Sequence, residues 1–99
     1  MALFGVTAVR FDQPGEVARV LWARVDGATN KLMGPIHNVD VDRVIKAFDE
    51  GDTVVLLFET EHGRVSGGRL RRKVLPTGRE NVIEDARVEG STLKDLPTF

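Results

Sequence analysis

Between Arg64 and Arg79 stand six cations and no acid: Arg64, Arg69, Arg71, Arg72, Lys73 and Arg79. Elsewhere the chain holds eight basic and fifteen acidic residues, so a +6 segment faces a −7 remainder in a protein of net charge −1. A one-signed strip attracts polyanions or a negative surface. On an extended strand, Arg69, Arg71 and Lys73 share one face at intervals of ~6.5–7 Å, comparable to the step between phosphates of a nucleic-acid strand. Ser66-Gly67-Gly68 adds backbone amides of the kind that cradle anions. The candidate anion-binding residues are Arg69, Arg71, Arg72, Lys73 and Arg79.

Internal neutralisation is the competing account. Residues 40–61 hold seven acids against Arg43 and Lys46, and Glu59 and Glu61 precede the strip across a hairpin. Opposite charges facing each other across strands are ordinary sheet stabilisers, and outward Lys and Arg guard a sheet edge against aggregation. The pI of about 6.1 is also low for a dedicated nucleic-acid domain. Trp22 is read as a packed residue paired with Phe11 across the first hairpin; exposed, it would mark a protein interface.

Other chemistries find little material. Cysteine is absent, which removes disulfides, thiolate nucleophiles and Cys-ligated metals and fits a reducing compartment. His37 and His62 stand apart in loops, without the three or four convergent ligands a zinc or iron site needs. Ser66 and Ser91 lack a nucleophile elbow and a partnered His and acid. No Walker-type or Gly-x-Gly-x-x-Gly loop is present, so no cofactor is expected. Glu84, amid an apolar strand face, is expected to pair with Arg87 or with an arginine of the neighbouring strand.

The elements carrying these residues follow from periodicity. At 99 residues the chain has the size of one domain, and its opening lacks the basic n-region of a signal peptide. No apolar run reaches the ~18–20 residues of a membrane span, so the cytoplasm is the expected location. Phe4 to Asp12 and Val17 to Val25 read as two strands joined by Gln13-Pro14-Gly15-Glu16, where Pro presets φ and Gly supplies the positive φ of a type II turn. In the second strand, Val17, Leu21, Ala23 and Val25 share one face, with Val20 and Trp22 on the other. Asp26 to Pro35 reads as a loop. A helix follows, N-capped by Asp40, with Val41, Val44, Ile45 and Phe48 as its apolar stripe and Gly51 ending it.

Thr53 to Thr60 carries five consecutive apolar residues and reads as the central strand, covered on both faces. Glu61-His62-Gly63 turns into a strand from Arg64 to Leu75. There Leu70 and Val74 point inward, and a bulge at Gly67-Gly68 returns Val65 to the core, because one extra residue reverses the alternation. Glu80 to Val88 forms the last strand. Residues 90–99 form an irregular tail in which Leu93, Leu96 and Phe99 plug onto the sheet.

Val6-Thr7-Ala8-Val9-Arg10, the Leu21-Trp22 strand, the helix closed by Gly51, and the ending Leu93…Leu96-Pro97…Phe99 resemble a family of small bacterial proteins known only as a domain of unknown function. Its members open with a Thr-Ala-Val-Arg strand and end in a Leu-x-x-Leu-Pro-x-aromatic tail. This chain departs from them at Ser91-Thr92, where the family has Asp-Asn, and in a more charged final hairpin. The resemblance implies a size, a topology and a bacterial setting, and no site.

The expected fold is α+β, with about five mostly antiparallel strands in a curled sheet, in the order β-β-α-β-β-β, and one helix on one face. The leading functional expectation is a binding or assembly module without catalytic activity, forming a homodimer because the central strand is apolar on both faces. The alternatives are nucleic-acid or other polyanion binding through residues 64–79, and a small enzyme with its site at a dimer interface.

Overall fold

The computed structural model describes residues 2–61, 63–85 and 90–99. The chain runs β1 (Leu3–Gln13), β2 (Glu16–Arg24), β3 (His37–Asp40), α1 (Val41–Asp49), β4 (Thr53–Thr60), β5 (Gly63–Val74) and β6 (Glu80–Glu84), then a 3-10 turn at Leu93–Asp95. This is an α+β fold with one helix and a six-stranded mixed sheet in the order β3-β2-β1-β4-β5-β6. The sheet has one strand more than expected. His37-Asn38-Val39-Asp40 pairs with β2 from Trp22 to Arg19, although so short and polar a segment carries no strand periodicity of its own. His37 accordingly lies in a strand, not a loop. The last strand is described only to Glu84; His62 and residues 86–88 of the expected strand lie outside the described residues.

The centre of the sheet is its one parallel pair. Leu3 to Val6 of β1 aligns with Thr53 to Leu56 of β4, and a parallel pair requires a crossover, here made through α1. The helix begins where Asp40 Oδ1 accepts from the Arg43 backbone N–H at 3.0 Å, satisfying one of the orphan donors of the first turn. It ends at Gly51, whose φ is 82°. Val44 and Ala47 are fully buried, with Val41 and Ile45 nearly so, against Val6, Val20, Trp22, Val54, Leu56, Leu70 and Val82. Burying one Val or Leu is worth about 1.5–3 kcal/mol, so this single face carries most of the apolar stabilisation.

Irregularities in the ladders decide which side chains join that face. The register of β1 against β2 shifts between Arg10 and Phe11, so that Phe11 stands opposite Val17 while Arg10 stands opposite Arg19. Val17 thereby joins Val20 and Trp22 in the core instead of sharing a face with Leu21 and Ala23. The stacking partner of Trp22 is Phe4, with ring centroids 4.2 Å apart, not Phe11. Trp22 itself is 3% exposed. The guanidinium of Arg43 lies over its ring at 5.3 Å.

On β5 the expected bulge is present, between the pairs Leu56–Gly68 and Leu57–Ser66, but Val65 remains 48% exposed and Val74 is 69% exposed. The bulge lets the strand pass over an aromatic ring. A Cβ on Gly67 would lie against Phe58 Cε2 and 2.8 Å from Cδ2. Gly67→Ala is therefore expected to cost roughly 1–3 kcal/mol through forced displacement of Phe58; urea unfolding indistinguishable from that of the parent would refute this.

Over β1 and β4, the face of the sheet away from α1 is covered by the chain itself. Asn30 Nδ2 donates to Arg64 O at 3.3 Å. Since β1 and β4 separate β2 from β5 in the sheet, the turn that leaves β2 at Val25 has crossed both strands to reach Arg64. Under it, Val25 and Leu57 close over Gly5, and Leu57 is 1% exposed. The tail takes the edge of β1 that β4 leaves free beyond Val6. Val9 N donates to Pro97 O at 2.9 Å, Thr98 bridges Val9 in parallel, and Leu93 and Leu96 are buried in the main core.

Candidate anion-binding strip

Pairing splits the strip into two halves. Residues Gly63 to Arg69 lie along β4, and Leu70 to Val74 lie along β6. Because side chains alternate across a strand, Arg69, Arg71 and Lys73 share the face away from the helix, while Arg72 shares the helix side with Leu70. Arg72 is occupied there: one Nη meets Asp49 of α1 and the other lies 3.6 Å from Glu80. Arg64, at the far end, binds Glu59 at 2.9 Å. These pairs are partly exposed, and each is worth about 0–1 kcal/mol. Their effect is on availability: Arg64 and Arg72 are engaged within the chain.

The outer row is freer. Arg71 has one carboxylate nearby, Asp85, at 3.6 Å with both side chains more than half exposed. Among the described residues no carboxylate lies within 4.0 Å of Arg69, Lys73 or Arg79. Arg69 and Arg79 are exposed and Lys73 is half-buried. Arg79 stands beyond the turn that follows β5, where its carbonyl accepts from Leu75 N at 2.8 Å. The structure thus brings Arg69, Arg71 and Lys73 into one line, sets Arg79 past its end, and turns Arg72 to the opposite side.

The acids expected to cancel the strip are partly different ones. Glu59 does pair across the hairpin, but Glu61 binds no cation among the described residues. Glu84 stands opposite Leu70 with no arginine within 4.0 Å among the described residues, and Arg87 lies outside them. Asp49, Glu80 and Asp85 do the neutralising. Ser66 is exposed, but the neighbouring Gly67 is packed against Phe58.

Asn81 gave no signal in the sequence, yet it is the polar residue that joins the strip to the first hairpin. It is 4% exposed. Its Oδ1 accepts from Val17 N at 3.0 Å and from Val82 N at 2.9 Å, and its Nδ2 donates to Val17 O at 3.1 Å. A side-chain amide here takes the place of a strand's backbone, joining β6 to β2 although the two are not neighbours in the sheet.

A second local device holds the tail. Asp95 Oδ2 accepts from Thr92 N at 2.9 Å and from Thr92 Oγ1 at 2.8 Å. These bonds, that from the backbone foremost, hold the Asp95 carboxyl below its ordinary range. No group of three or more His, Asp or Glu residues placed to hold a metal ion occurs among the described residues, and no helix among them is long and apolar enough to cross a membrane. Comparison with protein-family models, with curated proteins and with solved structures finds no match.

Proposed function

We propose that this chain is a non-catalytic binding module whose working surface is the outer row of β5, and that its ligand is a polyanion of the single-stranded nucleic-acid type. The observation that carries this reading is the line of Arg69, Arg71 and Lys73 on one face, with Arg69 and Lys73 lacking any carboxylate partner among the described residues. The repeat of ~6.5–7 Å along a strand suits successive phosphates. Among the described residues no exposed aromatic shares the row, so contact is with the backbone of the ligand and not with its bases. A second copy of the chain is needed only if β4 lacks cover, and Val54, Leu56 and Leu57 are each 1% exposed or less within one chain.

Three to four neutralised phosphates give a slope of log K against log salt of about −2 to −3 for a single strand. Retention of a mixed-sequence oligonucleotide should therefore be clear at low salt and fall with that slope. Changing Arg69, Arg71 and Lys73 together to Gln should flatten it by about two. Absence of retention at low salt, or an unchanged slope in the triple variant, would overturn the reading.

A further inference from the structure

A cleft of about 330 Å³ is walled by Phe4, Trp22, Arg24, Met33, Pro35 and His37. The ladders explain why these residues meet. Arg24 stands opposite Phe4 and His37 opposite Trp22, and cross-strand partners share a face. Phe4 and Arg24 lie two residues from Val6 and Trp22, which pack against α1, so a period of two puts all of them on the helix side. The rings of Phe4 and Trp22 are stacked, with centroids 4.2 Å apart and planes 13° from parallel. Arg43 of α1 lies over both rings, its guanidinium carbon 5.3 Å from the Trp22 centroid and 6.0 Å from that of Phe4. Among the described residues no acid lines the cleft, and no carboxylate lies within 4.0 Å of Arg24, His37 or Arg43. Nη1 of Arg43 is buried and has no hydrogen-bond partner among them. Arg24 and His37 are exposed, and Met33 is 65% exposed.

The geometry points to a binding site for a small aromatic carboxylate, with its ring against Phe4 and Met33 and its carboxylate on Arg24 and His37. The site uses other strands and the opposite face from the cation row, so it stands independently of the polyanion reading. Its volume lies at the small end of the ~300–1,000 Å³ usual for ligand cavities. The walls suit a ring, because aromatic faces pack in offset stacks and a methionine thioether packs well against an aromatic edge. Covering Met33 also removes from water an apolar side chain that the chain itself leaves exposed. Charge selects the other half of the ligand. A guanidinium fork binds a carboxylate through two parallel N–H bonds, and no acid of the cleft competes for Arg24. Arg43 adds positive potential behind the aromatic wall. A buried donor without a partner is costly, and an anion in the cleft offsets the uncompensated charge.

The test uses the full chain and two probes of the same shape, 2-naphthoate and its uncharged amide, 2-naphthamide. Calorimetry should give naphthoate a Kd below about 1 mM and the amide a value about tenfold weaker, the loss of one good charge-assisted contact. Trp22 is the one tryptophan of the chain, so its indole N–H resonance identifies the site and should shift as naphthoate saturates. Arg24→Gln, a change at an exposed side chain, should bring the acid to within about twofold of the amide while leaving the amide's affinity as it was. No binding of naphthoate at 1 mM or below (roughly −4 kcal/mol), an amide that binds as tightly as the acid, a preference that survives Arg24→Gln, or an unmoved Trp22 resonance each overturns the site. None of these outcomes bears on retention of oligonucleotides by the row on β5.

Discussion

Replacing Asn81 with leucine should remove most of the stability of this protein. The substitution keeps the approximate size of the side chain but withdraws its partners from Val17 N–H, Val17 C=O and Val82 N–H. A buried polar group left unsatisfied costs about 1–3 kcal/mol, so three of them sum to roughly 3–9 kcal/mol. A domain has only about 5–15 kcal/mol in total. Asn81→Asp should fall between: it retains acceptors for the two N–H groups but cannot donate to the Val17 carbonyl when ionised. Urea unfolding of the three proteins checks the order. A leucine variant within 1 kcal/mol of the parent would mean that the bridge between β6 and β2 contributes little.

Loss of the tail is the second large effect. Leu96 is 3% exposed and Leu93 6% exposed, and both belong to the main core beside Val9 and Val82. Leu96→Ala should cost about 2–5 kcal/mol, the usual range for a leucine truncated in a packed interior. Deleting residues 91–99 should lower the melting temperature as well, because it opens the core where Leu93 and Leu96 sit and leaves Val9 N–H without the Pro97 carbonyl. The ordering entropy recovered by the freed segment offsets part of that loss, so the point variant gives the cleaner number. Phe99, half-exposed and held through Arg10, should matter less than Leu96. A truncated chain melting with the parent would refute a stabilising tail.

How much of this could be read in advance depended on the range of the interaction. The helix was legible because its signals are neighbours in sequence: the Asp40 cap, the stripe of Val41, Val44 and Ile45, and the stop at Gly51. The bulge on β5 was legible for the same reason, since the out-of-phase spacing of Val65 and Leu70 and the Gly67-Gly68 pair all lie in one segment. The destination of Val65 was not, because exposure depends on what stands opposite, and Phe58 fills that place with its ring against Gly67. Strand β3 was missed because its pairing energy comes from β2, not from its own residues. Asn81 was missed because an asparagine in a strand looks like a weak strand former until the Val17 backbone is brought to it.

The order of amino acids by itself determined an α+β chain with one amphipathic helix, an apolar central strand, and a row of cations on one face of β5; these are consequences of periods of 3.6 and 2 acting on adjacent residues. Only the tertiary structure decided which cations are spent. Asp49, Glu80 and Asp85 lie far along the chain from the groups they meet, or across a strand pair whose register no local pattern states. Folding placed two carboxylates on Arg72 and left Arg69 exposed and Lys73 half-buried, neither with a carboxylate within 4.0 Å among the described residues.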